Sequence, residues 1–156
     1  GQEQGRRGGT QALPAIAGMA RALEEALDTQ PHHAPLRDAL ERAACAAGAV
    51  VCGAGAPRLA NTRCLALPGL RAQGQLMRLD LEGFCVSAGS ACSSGKVASS
   101  HVLEAMGLEE LAGQAIRVSL PWSVRAEDVE RFTATYVRLA AGRTGGGAIS
   151  VAGGLV

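Results

Sequence analysis

The stretch Gln73-Gly74-Gln75-Leu76-Met77-Arg78-Leu79-Asp80-Leu81-Glu82-Gly83-Phe84-Cys85-Val86-Ser87-Ala88-Gly89-Ser90-Ala91-Cys92-Ser93-Ser94-Gly95 holds a helix, a stop, a strand and a loop in that order. Apolar residues at three- and four-residue steps predict a helix over 73–81 that ends near Gly83. Residues 84–86 read as a short strand. From Ser87 to Gly95 every side chain is small and nothing can anchor a core, which predicts an exposed, mobile loop around Cys92.

The same alternation extends in both directions. Upstream, Thr10 stands as an N-cap before a helix to about residue 27 or 28, with Leu13, Ile16, Met19, Ala20 and Leu23 on one face. A break at Thr29-Gln30-Pro31 precedes a second helix over 35–47, with Pro35 in its first turn and Leu36, Leu40 and Ala44 on one face. Residues 49–52 and 62–67 read as strands, and Pro68-Gly69 as a turn. Downstream, Ser99 or Ser100 caps a helix through Met106, 115–120 is a strand, and Ser123 caps a last helix that Gly142 stops. Val129, Phe132, Tyr136 and Leu139 form the buried side of that helix. The order of elements implies an α+β fold: a short, mostly antiparallel sheet with helices on one face.

Composition narrows the function classes. Of the 156 residues 47% are hydrophobic, enough for a core, and a net charge of +1 gives no electrostatic grip on nucleic acid or anionic lipid. No apolar run has membrane-spanning length and no signal-peptide pattern opens the sequence, so a cytoplasmic location is expected. The five cysteines include no CxxC pair and suggest free thiols rather than a zinc cage, so no metal is expected. Cys45, Cys52, Cys64 and Cys85 lie in apolar segments and read as small buried hydrophobes. Cys92 does not. Exposed among small residues, with Lys96 and a helix start nearby, it is a candidate nucleophile.

Two further features could carry chemistry. Gly1-Gln2-Glu3-Gln4-Gly5-Arg6-Arg7-Gly8-Gly9-Thr10 precedes a helix whose free N–H groups favour an anion such as phosphate. Arg117 interrupts the apolar run Ile116-Arg117-Val118-Ser119-Leu120. A paired guanidinium there would suit a carboxylate, although strand periodicity alone favours its facing solvent.

Taken in order, Leu76 to Gly83, Val86 to Gly95, Ser100-His101-Val102-Leu103-Glu104-Ala105-Met106-Gly107 and Ile116 to Leu120 resemble the C-terminal half of cysteine desulfurases. These belong to the class V aminotransferase superfamily of fold-type I pyridoxal-phosphate enzymes. Gly1-Gln2-Glu3, Gly5, Arg7 and Gly9-Thr10 are similar to the loop after the cofactor-lysine region of that family. The spacing from Cys92 to Ser100-His101-Val102-Leu103 resembles the group with the longer catalytic loop, which serves iron–sulfur cluster assembly and nitrogen fixation.

The resemblance implies roles. Cys92 would take sulfur from L-cysteine as a persulfide, releasing L-alanine. Arg117 would hold the substrate carboxylate. Thr10 would reach across a homodimer to the phosphate of the neighbouring subunit's cofactor, and the sulfur would pass to an acceptor or scaffold protein. It also implies that residues 1–28 close a large cofactor domain, 31–141 form the small C-terminal domain, and 142–156 are a Gly-rich disordered tail. The family's cofactor lysine would then lie upstream of Gly1, and this chain alone would be an inactive fragment, since Lys96 sits in the Cys92 loop. A related lyase acting on selenocysteine or cysteine sulfinate, and a stand-alone sulfur-carrier or dimerisation domain, remain open as alternatives.

Overall fold

A computed structural model describes residues 1–89 and 99–142. Cys92, Lys96 and the tail beyond Gly142 lie outside the described residues. The elements are α1 (Leu13–Thr29), a 3-10 turn (Gln30–His33), α2 (Ala34–Ala46), β1 (Val50–Val51), β2 (Thr62–Ala66), α3 (Ala72–Leu81), β3 (Ser87–Ala88), α4 (His101–Ala105), α5 (Glu109–Ala112), β4 (Ala115–Ser119) and α6 (Ala126–Ala141). The four strands form one antiparallel sheet in the order β1-β2-β4-β3, the α+β arrangement the periodicities predict, but with helices on both faces rather than one.

The sheet separates two apolar clusters because side chains alternate along each strand. Leu65, Ile116, Val118 and Ala88 point to one face, where α2, α3 and α6 cover them with Leu40, Ala44, Leu79, Tyr136 and Leu139. Tyr136 is fully buried, stacked on Phe132 at 6.0 Å between centroids, while Phe84 meets Phe132 edge-on at 5.3 Å. On the other face Ala66 and Ala115 pack with Leu103 of α4, Ala112 of α5 and Cys52. That second cover is short and shields only the Ala66–Ala115 end.

Polar devices hold the helices to the sheet. Gln75 of α3 is fully buried and its Nε2 donates to the carbonyls of Leu70 and Gln114, at 3.0 and 2.6 Å. It thereby joins the start of α3 to the chain entering β4. Arg63, 3% exposed on β2, pairs with Asp38 and Glu41, one helical turn apart on α2. Two glycines in the left-handed region turn the chain out of helices: Gly48 (φ +90°) after α2 and Gly83 (φ +82°) after α3. At Gly83 the Phe84 N–H reaches back to the Leu79 carbonyl and the Gly83 N–H to that of Asp80.

Several boundaries differ from the sequence reading, each for a local reason. The strand expected at 84–86 lies at Ser87–Ala88, because these two residues are the ones set beside β4, opposite Arg117 and Ile116. Ala88 is buried, so the segment expected to be wholly loop begins as sheet. Thr10 does not cap α1, which starts at Leu13. Ser123 does not cap α6, because the chain first turns at Pro121–Val124, closed by the Val124 N–H on the Pro121 carbonyl. The cap is Arg125, whose N–H donates to the Asp128 carboxylate at 3.3 Å. A 3-10 turn replaces the break expected at 29–31.

The largest difference is α1. Its periodic apolar residues were expected to face a core, yet Leu13, Met19, Leu23 and Leu27 are each more than half exposed.

Candidate active site

Arg117 lies at the centre of the sheet, on β4. Register places Cys64 of β2 opposite it on one side and Ser87 of β3 on the other. Continuing the β1–β2 register puts Cys52 opposite Cys64, and the Cys52 N–H donates to the Cys64 carbonyl at 3.0 Å. Cys52, Cys64, Arg117 and Ser87 thus form one row across all four strands, on the face that α4 and α5 leave partly open.

Cys52, Cys64 and Arg117 of this row floor a cavity of about 350 Å³ whose walls include Arg58, His101 and Met106. Arg117 is exposed into it, so of the two readings left open by periodicity the structure supports a guanidinium on the accessible face. The described residues place no carboxylate against that guanidinium, which leaves its fork available to a carboxylate ligand. Ser100 caps α4 by accepting from the Leu103 N–H at 3.4 Å, as expected, and its own N–H donates to the Ala112 carbonyl. Gly89, the last described residue before Cys92, and Ser100 both line the cavity.

The cysteines divide differently from the expectation that four are buried. Cys52 is buried and Cys64 half-buried, but Cys45 and Cys85 are exposed. Cys45 sits on the outer face of α2, and Cys85 at the turn where Phe84 and Val86 take the inward positions. The two thiols interact across the register: that interaction and burial push Cys52 up. The same interaction holds Cys64 below its ordinary value, with the Arg117 charge assisting against the effect of burial. Sequence reading missed this pair because it treated both residues as inert packing. Opposite placement on two strands was the signal, and it needs the register.

The N-terminal loop is a tight hairpin in which Gln2 bridges Arg7, with Glu3 and Gln4 both in the left-handed region. The Arg7 guanidinium turns inward, donating to the Gly8 and Gly9 carbonyls at 2.8 and 2.7 Å. Thr10 is exposed beside these glycines. Thr10 is not among the residues that line the cavity around Arg117.

The aminotransferase class-V family model matches residues 1–132. The chain belongs to that family. Among curated relatives, the cysteine desulfurase of Cereibacter sphaeroides is 41% identical over 135 residues, covering 83% of this chain and 35% of the relative. The cysteine desulfurase NifS of Azotobacter vinelandii is 36% identical over 137 residues, covering 83% of this chain and 34% of the relative. A NifS-like protein from Rickettsia africae superposes with a TM-score of 0.74 at 31% identity, over 90% of this chain and 38% of that one. The chain thus spans about a third of the length of these curated relatives.

Class V aminotransferases imply pyridoxal phosphate, and the residues here fit only one end of it. The sole lysine of the sequence is Lys96, so no described residue can form an imine with the cofactor aldehyde. The phosphate end is better served. Gly8 and Gly9 leave the backbone open around the exposed Thr10 hydroxyl, and no heavy atom would meet a Cβ added at either glycine.

Proposed function

We propose that the protein containing this segment is a pyridoxal-phosphate-dependent cysteine desulfurase, with this chain supplying the substrate-carboxylate anchor and the sulfur-carrying thiol. The observation that carries this reading is the cavity on the open face of the sheet. Its lining includes Arg117 as well as Gly89 and Ser100, which lie on either side of Cys92 in the sequence. Three residues of extended chain span about 10 Å, so Cys92 is tethered within reach of the cavity by its link to Gly89.

In this reading Arg117 holds the α-carboxylate of L-cysteine through its two-pronged guanidinium. Pyridoxal phosphate, when bound, supplies the electron sink for the pair left by the broken carbon–sulfur bond. The Cys92 thiolate attacks the substrate sulfur, so the new S–S bond forms as the C–S bond breaks, and L-alanine leaves after protonation at carbon. Cys92 then carries a persulfide, which its small-residue segment presents to a sulfur acceptor or scaffold protein of iron–sulfur assembly. Thr10 donates to the phosphate of a cofactor held by the second subunit of a homodimer.

The exposed α1 stripe supports association, since a contiguous apolar face of this kind calls for a covering partner. No described helix is long and apolar enough to cross a membrane, and we place the protein in the cytoplasm.

The test is mass spectrometry of the whole protein after exposure to L-cysteine. A substrate-derived sulfur on Cys92, lost in Cys92→Ser together with sulfide release, supports the reading. Alanine release with Cys92 left unmodified points instead to a lyase that does not use this thiol.

A further inference from the structure

The row across the sheet holds two thiols that the desulfurase reading does not use. Cys52 follows β1, Cys64 lies on β2, and their backbones are joined by the 3.0 Å hydrogen bond from the Cys52 N–H. Directly opposed residues of a hydrogen-bonded antiparallel pair have Cα atoms about 5.5 Å apart. This falls inside the range of about 4.4–6.8 Å that disulfides span. Both cysteines line the cavity, Cys64 half-buried and Cys52 beneath it, so a small molecule entering the cavity meets Cys64 first. On the far side of Cys64 stands the Arg117 guanidinium, a fixed cation that favours a thiolate.

We propose that Cys52 and Cys64 are an oxidisable dithiol site that takes a hydroperoxide as its co-substrate and closes to an intrachain disulfide. Cys64 is the attacking sulfur. Its thiolate attacks the distal oxygen of the peroxide: an S–O bond forms to that oxygen, the O–O bond breaks, and the other oxygen leaves as alkoxide or hydroxide and takes a proton from water. Cys52 then attacks the Cys64 sulfenic acid. The S–S bond forms, the S–O bond breaks, and the hydroxyl leaves as water with the proton that Cys52 gives up. Two thiols are oxidised and one peroxide is reduced.

Placement fixes this order, because Cys64 is the half-buried thiol that an entering molecule meets and stands beside Arg117, while Cys52 is buried beneath it. A metal is the less favoured occupant, since no group of three or more His, Cys, Asp or Glu residues could hold one among the described residues. The site stands independently of the desulfurase reading, because its chemistry needs neither pyridoxal phosphate nor L-cysteine.

The experiment uses the reduced chain carrying Cys45→Ser, treated with a few equivalents of hydrogen peroxide, alkylated and digested without reductant. Trypsin cuts at Arg58 and Arg63, between the two thiols, so a disulfide appears as a linked pair of peptides containing Cys52 and Cys64. That linked pair is the expected product. In Cys52→Ala the reaction should stop at a Cys64 sulfenic acid that dimedone traps. In Cys64→Ala, Cys52 should stay unmodified. Arg117→Ala should slow disulfide closure at neutral pH, because the cation that favours the Cys64 thiolate is gone. Free Cys52 and Cys64 in a sample whose Cys85 has oxidised would overturn the proposal, and so would a dimedone adduct on Cys52 rather than Cys64.

Discussion

Cys64 of β2 and Arg117 of β4 stand opposite one another in the antiparallel register, so a thiol and a guanidinium share the floor of one cavity. Arg117 is therefore accessible and firmly placed at the same time. Its strand is paired on both sides, with β2 and β3, while its head faces the open space.

Substitution of Arg117 should act on binding more than on folding. In the whole protein, Arg117→Ala is expected to weaken L-cysteine binding by about 1.5–3 kcal/mol, the usual worth of a hydrogen bond to a charged partner. Arg117→Lys should recover part of this, because a point charge cannot match the planar fork. Thermal stability should change little, since the side chain is exposed. Substrate titration of the three proteins, with melting curves alongside, checks all of it. An Ala variant that binds L-cysteine as tightly as the parent would remove Arg117 from the site.

Thiol reactivity should sort by exposure, and sulfur loading should not. Cys45 and Cys85 are exposed and should be alkylated in the folded protein, whereas Cys52 should wait for unfolding. Only Cys92 should acquire sulfur from L-cysteine. Alkylation kinetics by peptide mapping, compared with persulfide labelling of the whole protein, separates mere accessibility from function.

Arg63 is the stability counterpart of Arg117. Nearly fully buried, it pairs with Glu41 and Asp38, and Glu41 also has Arg58 at 3.5 Å. Breaking a buried ion pair from one side costs about 3–5 kcal/mol. Arg63→Ala should fall near the lower end, because Arg58 still partners Glu41. Chemical denaturation reads the difference, and a loss below about 0.5 kcal/mol would match an ordinary surface residue instead.

The same cluster makes a pH prediction. A hydrogen bond from Arg37, with the charges of Arg37 and Arg63, holds the Asp38 carboxyl below its ordinary value despite partial burial. Its folded value is depressed, so its stabilisation is present above the unfolded value of about 3.9 and is lost as pH falls from there through the folded value. Asp38 is 42% exposed, so the effect is screened and modest. Asp38→Asn should flatten the decline in stability below about pH 4 while leaving the neutral-to-alkaline range parallel to the parent. Melting temperatures at intervals from pH 3 to 7 test this.

The bare face of α1 should be visible in solution. The 156-residue chain is expected to bind an apolar fluorescent dye or to self-associate through Leu13, Met19, Leu23 and Leu27. Replacing Met19 and Leu23 by Ser should reduce both signals without lowering the melting temperature of the sheet domain. Unchanged dye binding and sedimentation would show that the stripe is not the sticky surface.

Local chemistry was readable without coordinates wherever it is decided within a few residues. Repeats of three and four marked α2, α3 and α6, and Val129, Phe132, Tyr136 and Leu139 are buried as their spacing predicts. Gly83 and Ser100 stand at helix ends where backbone freedom and a side-chain acceptor are needed. The small-residue run around Cys92 marked a segment without core anchors, and family resemblance supplied its proposed chemistry.

Tertiary structure decided what depends on distant partners. Whether Arg117 faces the core or the open side follows from which face α2, α3 and α6 cover, and period two alone cannot choose between faces. Cys52 and Cys64 are twelve positions apart, and Arg117 lies more than fifty beyond, so only the strand register sets them in one row. Periodicity likewise marks an apolar helical face without naming its cover, which is why α1 reads as buried in sequence and stands exposed in this chain. Hydrophobic pattern is a local property; burial and register belong to whatever packs against it.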